Sequence, residues 1–429
     1  MRSISLLVGI IFTSLCLDAQ YYTSYFTGNS TDVVTTPTGG VCMMGGATED
    51  DNAMIWFLER ANGGDVLVLR ASGSDGYNDY LYSELGVTVN SVETIVFNYY
   101  LANQDEYVLQ KIQQAEAIWF AGGDQWNYVD YWRDRPVDSL INLGLSERNI
   151  VIGGTSAGMA ILGEYYFSAE YGTVTSANAL ANPYTQNVTV DSTDFLHVNY
   201  LNNVVTDTHY DDPDRKGRHV VFLARMLQDY GANSKGIACD EYTAVCIDPE
   251  GIAHVYGGYP QYDDNAYFVQ LNCELVDQSP ETCVEGIPLE WYLGGEALNV
   301  YQVKGTANGE NTFDLNDWNT GNGGEWLNWY VQDGGLTEVA STQPGCNGNS
   351  VGEEPAESLV VYPNPAGSEL WIDGWSEADS VEIYDYSGRW IESLRVPENG
   401  RLSIDHLPDG TFLLKSTAGL TVSFIKETE

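Results

Sequence analysis

The chain has 429 residues, 43% of them hydrophobic, and carries 18 Lys and Arg against 61 Asp and Glu, a net charge of -43. That length exceeds one ordinary domain, and the apolar content excludes a disordered chain despite the charge. The charge repels nucleic acid and anionic membranes; it suits salty water outside a cell first and a cationic substrate second.

Residues 1–19 read as a signal peptide: Arg2 is the positive end, Leu6 to Leu17 is an apolar run, and a small-residue cut site follows near Ala19. The run is too short to span a membrane, and no later stretch is long and apolar enough to do so. Cys16 follows Leu15 where a lipoprotein site wants a small residue, which argues against a lipid anchor. Beyond the signal stand Cys42, Cys239, Cys246, Cys273, Cys283 and Cys346. Export permits disulfides, and Cys273 and Cys283, flanking a short polar loop, are the expected pair. Cys42, Cys239 and Cys246 sit in apolar runs and are expected to be buried. No CxxC occurs, so no zinc or redox site is expected.

From Val41 onward short apolar runs alternate with amphipathic stretches. Val41–Met44, Val66–Leu69, Thr94–Phe97, Ala117–Phe120 and Ile150–Ile152 read as strands; Ala53–Ala61 and Val108–Ala115 read as helices. The alternation predicts an α/β fold, a doubly wound, mostly parallel sheet whose site lies beyond the carboxyl ends of the strands. Three strands end in glycine pairs, Gly45-Gly46, Gly122-Gly123 and Gly153-Gly154, where the backbone can turn sharply. After Gly251 the composition shifts to Gly, Asn, Asp, Tyr and Trp, a β-rich extension of the same catalytic domain, residues 20–340. Asp314 to Glu325 fails the spacing of a calcium loop, with Trp318 at a ligand position, and reads as a turn-rich loop. Residues 341–357 form a linker, and 358–429 a separate small unit whose closely spaced strand-like runs predict a β-sandwich.

The strongest local signal is Gly154-Thr155-Ser156-Ala157-Gly158, placed after an apolar strand and before an apolar helix. That context makes it a nucleophile elbow: the turn exposes the Ser156 hydroxyl at a helix start and aims the Ala157 amide at a developing oxyanion. A serine needs a base. His406 lies in the tail unit; His219 falls in the next helix and reads as structural; His197 and His254 sit in mixed apolar surroundings. His209, at the end of the run Asn203–Asp207, is the base by elimination. For the acid that orients it, Glu164, Glu170, Asp207 and Glu241 stay open, with Glu170, far enough past the elbow to fold back over it, the leading choice.

Four segments resemble the cyanophycinases and the related aspartyl dipeptidases, in family order over residues 40–255. They are Gly-Gly-Thr-Ser-Ala-Gly at 153–158, Gly122-Gly123-Asp124-Gln125, Asp207-Thr208-His209-Tyr210 with Arg215 and Arg218, and Asp240-Glu241-Tyr242-Thr243-Ala244. The resemblance implies a fold like the class I glutamine amidotransferases and a serine peptidase acting next to aspartyl residues. It further implies Gly123 as second oxyanion donor, Gln125 in substrate positioning, and Arg215 and Arg218 on substrate carboxylates; salt bridges within this acidic protein are the other reading of the arginines. Pro213 stands where the family often has its first arginine, and Thr208 replaces a common glutamine.

The tail resembles a second family, the C-terminal sorting domain of type IX secretion, through Val361-Tyr362-Pro363-Asn364-Pro365-Ala366, Ile383-Tyr384-Asp385-Tyr386-Ser387-Gly388 and a final Lys426. It implies secretion or cell-surface display. The expected partners are a peptide or cyanophycin-like polymer and the secretion machinery, with a homodimer left open and with no nucleic acid, transmembrane segment, metal or cofactor. A secreted esterase of the α/β-hydrolase type is the rival enzyme, although the His-Gly segment such enzymes usually carry upstream is missing; a non-catalytic binding protein is the rival outside enzymes.

Overall fold

The computed structural model describes residues 20–192, 195–345, 360–362, 366–373, 380–385, 390–396, 400–416 and 421–426. The expected signal peptide, most of the expected linker, and Pro363, Asn364 and Pro365 of the tail motif lie outside the described residues. The chain divides into two compact units, Met1–Cys346 and Asn347–Glu429.

The first unit begins with strands β1 (Tyr22–Gly28) and β2 (Val41–Met44), helix α1 (Asp51–Arg60), β3 (Asp65–Arg70), β4 (Ser91–Phe97) and α2 (Glu106–Gln114). It continues through β5 (Ala117–Phe120), α3 (Gln125–Trp132), α4 (Pro136–Arg148), β6 (Val151–Thr155) and the single turn α5 (Ala157–Ala160). Then come β7 (Tyr166–Phe167), α6 (Ser176–Ala181), β8 (Val190–Asp191), β9 (Val204–Asp207), α7 (Lys216–Arg225), β10 (Lys235–Cys239) and β11 (Ala244–Ile247). The β-rich remainder holds β12 (Ile252–Tyr259), β13 (Asn265–Leu271), β14 (Leu298–Lys304), β15 (Asn311–Asp314), β16 (Gly321–Asn322), β17 (Gly324–Gln332) and β18 (Gly335–Ala340).

Ten strands make the main sheet, in the order β1-β4-β3-β5-β6-β2-β11-β12-β15-β16. Its centre, β4-β3-β5-β6-β2, is parallel throughout. These runs lack polar alternation because both of their faces are covered. Register aligns Leu67, Ile118, Ile152 and Val41 in one row across four strands, and this row packs against apolar side chains of α2, α3 and α4. The next row, Val66, Ala117 and Val151, faces the other way and packs with Met54, Phe57 and Leu58 of α1. Acidic caps start α1 and α2: Asp50 accepts the amides of Asn52 and Ala53 at 2.9 and 3.0 Å, and Asp105 accepts that of Tyr107. One such cap contributes about 1 kcal/mol.

The β-rich segment builds a second sheet, β18-β17-β14-β13-β10-β9, with α7 packed on its apolar face around Trp329, Val300 and Val205. The strand leading to His209 therefore lies in a different sheet from the strand leading to Ser156. The expected Cys273–Cys283 bridge does not form: Cys273 is disulfide-bonded, but Cys283 is free and buried in the apolar core of the second sheet. Cys42, Cys239 and Cys246 are free and buried. Within the loop from Asp314, Asp317 accepts the amides of Asn319 and Thr320 at 2.8 and 2.9 Å, which makes it a self-bonded turn.

The second unit places Val360–Tyr362, Glu369–Asp373 and Arg401–Ser403 in one sheet. Trp390–Arg395, Ser380–Asp385, Gly410–Ser416 and Thr421–Lys426 form another. Val361, Leu370, Ile383, Phe412 and Phe424 share one core. Among the described residues no helix is long and apolar enough to cross a membrane.

Candidate active site

Strand β6 runs into Ser156, which takes φ 52° and ψ -115°, and α5 begins at the next residue. Such a conformation is strained for a residue with a Cβ and persists only when its surroundings enforce it. Two glycines make it attainable. A Cβ on Gly154 would stand 2.5 Å from the Gly158 carbonyl carbon, and one on Gly158 would stand 2.1 Å from the Phe120 carbonyl oxygen. The elbow is thus closed against itself and against the end of β5. Because α5 is a single turn of four residues, its dipole adds little, and the local amides carry the electrostatics. Ala157 is the first residue of that turn, so its amide is one of the donors the helix leaves unused.

The end of β5 supplies a second wall. A Cβ on Gly122 would lie 3.6 Å from that of Ser156, so this turn borders the serine. The Tyr128 hydroxyl donates to the carbonyls of Ala121 and Gly122 at 2.8 and 3.3 Å. In a trans peptide the carbonyl and the following amide point opposite ways, so the Gly123 N–H points away from Tyr128.

His209 approaches from the second sheet. Its Nε2 lies 2.8 Å from Ser156 Oγ, and its Nδ1 lies 2.5 Å from Glu241 Oε1. These contacts assign the proton on Nδ1 to Glu241 and make Nε2 the acceptor of the serine hydroxyl. His209 sits at φ 47°, and its amide donates to the Gly45 carbonyl at 2.7 Å. Gly46 lies under the imidazole: a Cβ there would come within 2.4 Å of the ring. The glycine pair after β2 therefore makes room for the imidazole.

Glu241 occupies the position for which Glu170 was the leading expectation. Glu170 is exposed and is hydrogen-bonded by the Tyr171 hydroxyl. Glu164 accepts the Asn203 amide and Asp207 is paired with Arg218, so neither reaches the imidazole. The reason for Glu241 is topological. Strands β9 and β10 are parallel neighbours with Asp207 opposite Ala238, so His209, two residues past Asp207, meets Glu241, three past Ala238. The sequence carried that signal in the Asp-Glu pair just beyond β10.

Arg218 is corrected as well. Its Nε and Nη2 hold both carboxylate oxygens of Asp207 at 2.8 and 2.5 Å, and its Nη1 donates to Thr173 Oγ1 and the Val174 carbonyl. It is 3% exposed, so no nitrogen remains for a substrate carboxylate. Arg215 is partly buried, and its Nη1 donates to the Thr208 carbonyl at 2.9 Å. The Gln125 side-chain amide donates to the Phe167 carbonyl at 2.9 Å. His219 is buried between the Tyr210 hydroxyl and the Val205 carbonyl, and burial pushes its imidazole below the usual range, as fits a structural residue.

A cavity of about 710 Å³ is lined by Glu49, Asp50, Asp51, Asp264, Tyr242 and Tyr262, and the Tyr242 amide donates to the carbonyl of Gly46, the residue under the His209 ring. The Tyr77 hydroxyl donates to Glu49 and the Tyr80 hydroxyl to Asp51, but among the described residues none of the four carboxylates is in an ion pair. The sequence reading foresaw a general acidity and not this local concentration, which needs the turn after β2 and the β12–β13 connection in one place.

Residues 76–255 match the model of peptidase family S51, and that span contains Gly123, Ser156, His209 and Glu241. Over that span the chain is similar to peptidase family S51. Residues 360–427 match the model of a secretion system C-terminal sorting domain. The chain is 24% identical over 229 residues to a cyanophycinase of Synechococcus elongatus, covering 51% of this chain and 66% of that one. It is 22% identical over 200 residues to a cyanophycinase of Trichormus variabilis, covering 46% and 62%. The chain thus spans just under two thirds of the curated relatives it matches. A crystal structure of a peptidase from an acI-B1 Actinobacterium is similar at 13% identity and a TM-score of 0.40, over 65% of this chain and 98% of that one.

Proposed function

We propose that this protein is an exported serine peptidase that cleaves cyanophycin or other aspartyl peptides through an acyl-enzyme. The observation that carries the reading is the continuous chain Ser156–His209–Glu241, with the serine held on a strained elbow at the carboxyl ends of the strands. Ser156 Oγ attacks the scissile carbonyl carbon as His209 Nε2 takes the hydroxyl proton. Glu241 keeps the imidazole in the right tautomer and stabilises the imidazolium. The amides of Ala157 and Gly123 receive the oxyanion. His209 then gives its proton to the leaving amine, and the acyl ester remains. Water, deprotonated by His209, attacks the ester and restores Ser156. Gln125, held by Phe167 through its amide nitrogen, keeps its carbonyl oxygen for a substrate N–H.

The substrate class is supported by the unpaired carboxylates beside the site. Four acids and two tyrosines without a counter-cation favour a cationic side chain close to the scissile bond. Cyanophycin carries arginine on an aspartate backbone and has that character. The sorting domain supports delivery to the cell exterior.

Release of soluble dipeptide from insoluble cyanophycin tests the reading, with Ser156→Ala as control. Clearance by the wild type alone is the expected result. No clearance, with hydrolysis of small aspartyl peptides that Ser156→Ala abolishes, would replace the polymer by short peptides; failure on both would overturn the proposal.

A further inference from the structure

We infer that Arg215 and Arg218 are positioning residues, which clamp the left-handed turn that carries His209 and do not receive substrate carboxylates. The chain leaves β9 at Asp207 and reaches the base only two residues later. There His209 holds φ 47°, a conformation that its surroundings must enforce. Both backbone polar groups of the intervening residue are tied down. The Thr208 amide donates to Asp207 Oδ1 at 2.8 Å, and the Thr208 carbonyl accepts Arg215 Nη1 at 2.9 Å. Arg218 fixes Asp207 by a two-pronged contact and is itself fixed by Thr173 and Val174. Its guanidinium lies 5.2 and 5.8 Å from the rings of Phe167 and Phe222. Burial alone would raise the Asp207 carboxyl, but the Arg218 charge overcomes it and holds the group below the usual carboxylate range. The pair therefore stays ionised.

The consequence follows from peptide geometry. The carbonyl held by Arg215 belongs to the same planar unit as the His209 amide, which donates to Gly45. If that plane turns, the His209 amide leaves Gly45 and the imidazole leaves Ser156. Arg215 thus acts on the reaction through the orientation of the base.

This inference rests on His209 being the base of the proposed reaction, and its test does not depend on the substrate. The full chain is treated with a small fluorophosphonate, which reports the nucleophilicity of Ser156 and has no carboxylate for an arginine to bind. Absence of labelling in the wild type would overturn the proposed function itself. With the wild type labelled, Arg215→Met is expected to label about 10- to 100-fold more slowly, the size of effect that a misplaced catalytic group produces. Its kcat on a peptide substrate falls in parallel and its KM stays within about threefold. Arg215→Lys, which still offers one donor to the Thr208 carbonyl, is expected to restore both rates. Wild-type labelling by Arg215→Met together with a raised KM would overturn the inference, because that is the signature of a substrate-binding arginine. Should Arg215→Met fail to fold, Arg215→Lys decides alone. A KM within about threefold of wild type supports positioning, and a tenfold rise with intact labelling overturns it, since an ammonium cannot replace a two-pronged carboxylate contact.

Discussion

The two halves of the candidate site are built by different means. The serine half is local: six consecutive residues, 153–158, turn sharply because glycines stand where a Cβ would strike Gly158 or Phe120. The histidine half is assembled at long range, from turns after β2, β9 and β10 that meet because β9 and β10 run in parallel and end together. A local device is written in neighbouring letters of the sequence. A long-range one is written in strand pairing, which the letters specify only jointly.

The comparison can be broken most sharply at its junction. Ser156→Ala and His209→Ala should each lower kcat by about 10⁴-fold or more, measured by turnover of the same peptide, because they remove one catalytic unit from either side. Glu241→Gln is expected to cost about 10³- to 10⁴-fold in kcat with KM little changed, while Glu170→Gln leaves both parameters at wild type. A large loss with Glu170→Gln and none with Glu241→Gln would return the acid to Glu170 and dissolve the pairing argument. In the serine half, Gly158→Ala should destabilise the protein by roughly 1–3 kcal/mol in a denaturant titration, because the new methyl meets the Phe120 backbone.

The smallest effect sharpens the histidine half through pH. Asp240 is 3% exposed, its Oδ2 accepts the backbone and side-chain amides of Asn265, and its Oδ1 meets no partner among the described residues. Burial pushes this carboxyl up to about 7. The folded state therefore prefers the protonated form. Its contribution to stability is full below the ordinary carboxylate range and is lost as pH rises through about 7. Asp240→Asn should flatten that decline and raise the melting temperature at pH 8 by a few degrees, with less change at pH 4. Unchanged melting at both pH values would contradict it.

What the sequence made legible follows the same division. The parallel centre was readable because β5 is apolar throughout and β3 and β6 carry the unbroken apolar runs Val66–Leu69 and Val151-Ile152. The elbow was readable because Gly154, Ser156 and Gly158 stand between a strand and a helix. His209 was reached by elimination among five histidines, and it stands two residues beyond the end of β9, in the second sheet. Glu241 could not be ranked over Glu170 without the neighbourhood of β9 and β10. Arg218 could not be withdrawn from the substrate without the burial of Asp207. Cys283 was misread because a short polar loop between cysteines says nothing about which of them packs inward.

The passage from β10 to β11 carries one more consequence. These strands belong to different sheets, and Glu241 stands on the turn between them. Serine and base are therefore contributed by two structural layers that must both be complete before they meet. A partly folded chain with only the larger sheet formed presents an ordinary, unactivated hydroxyl. In the proposed mechanism the activation of Ser156 is therefore a property of the finished molecule, not of either sheet alone.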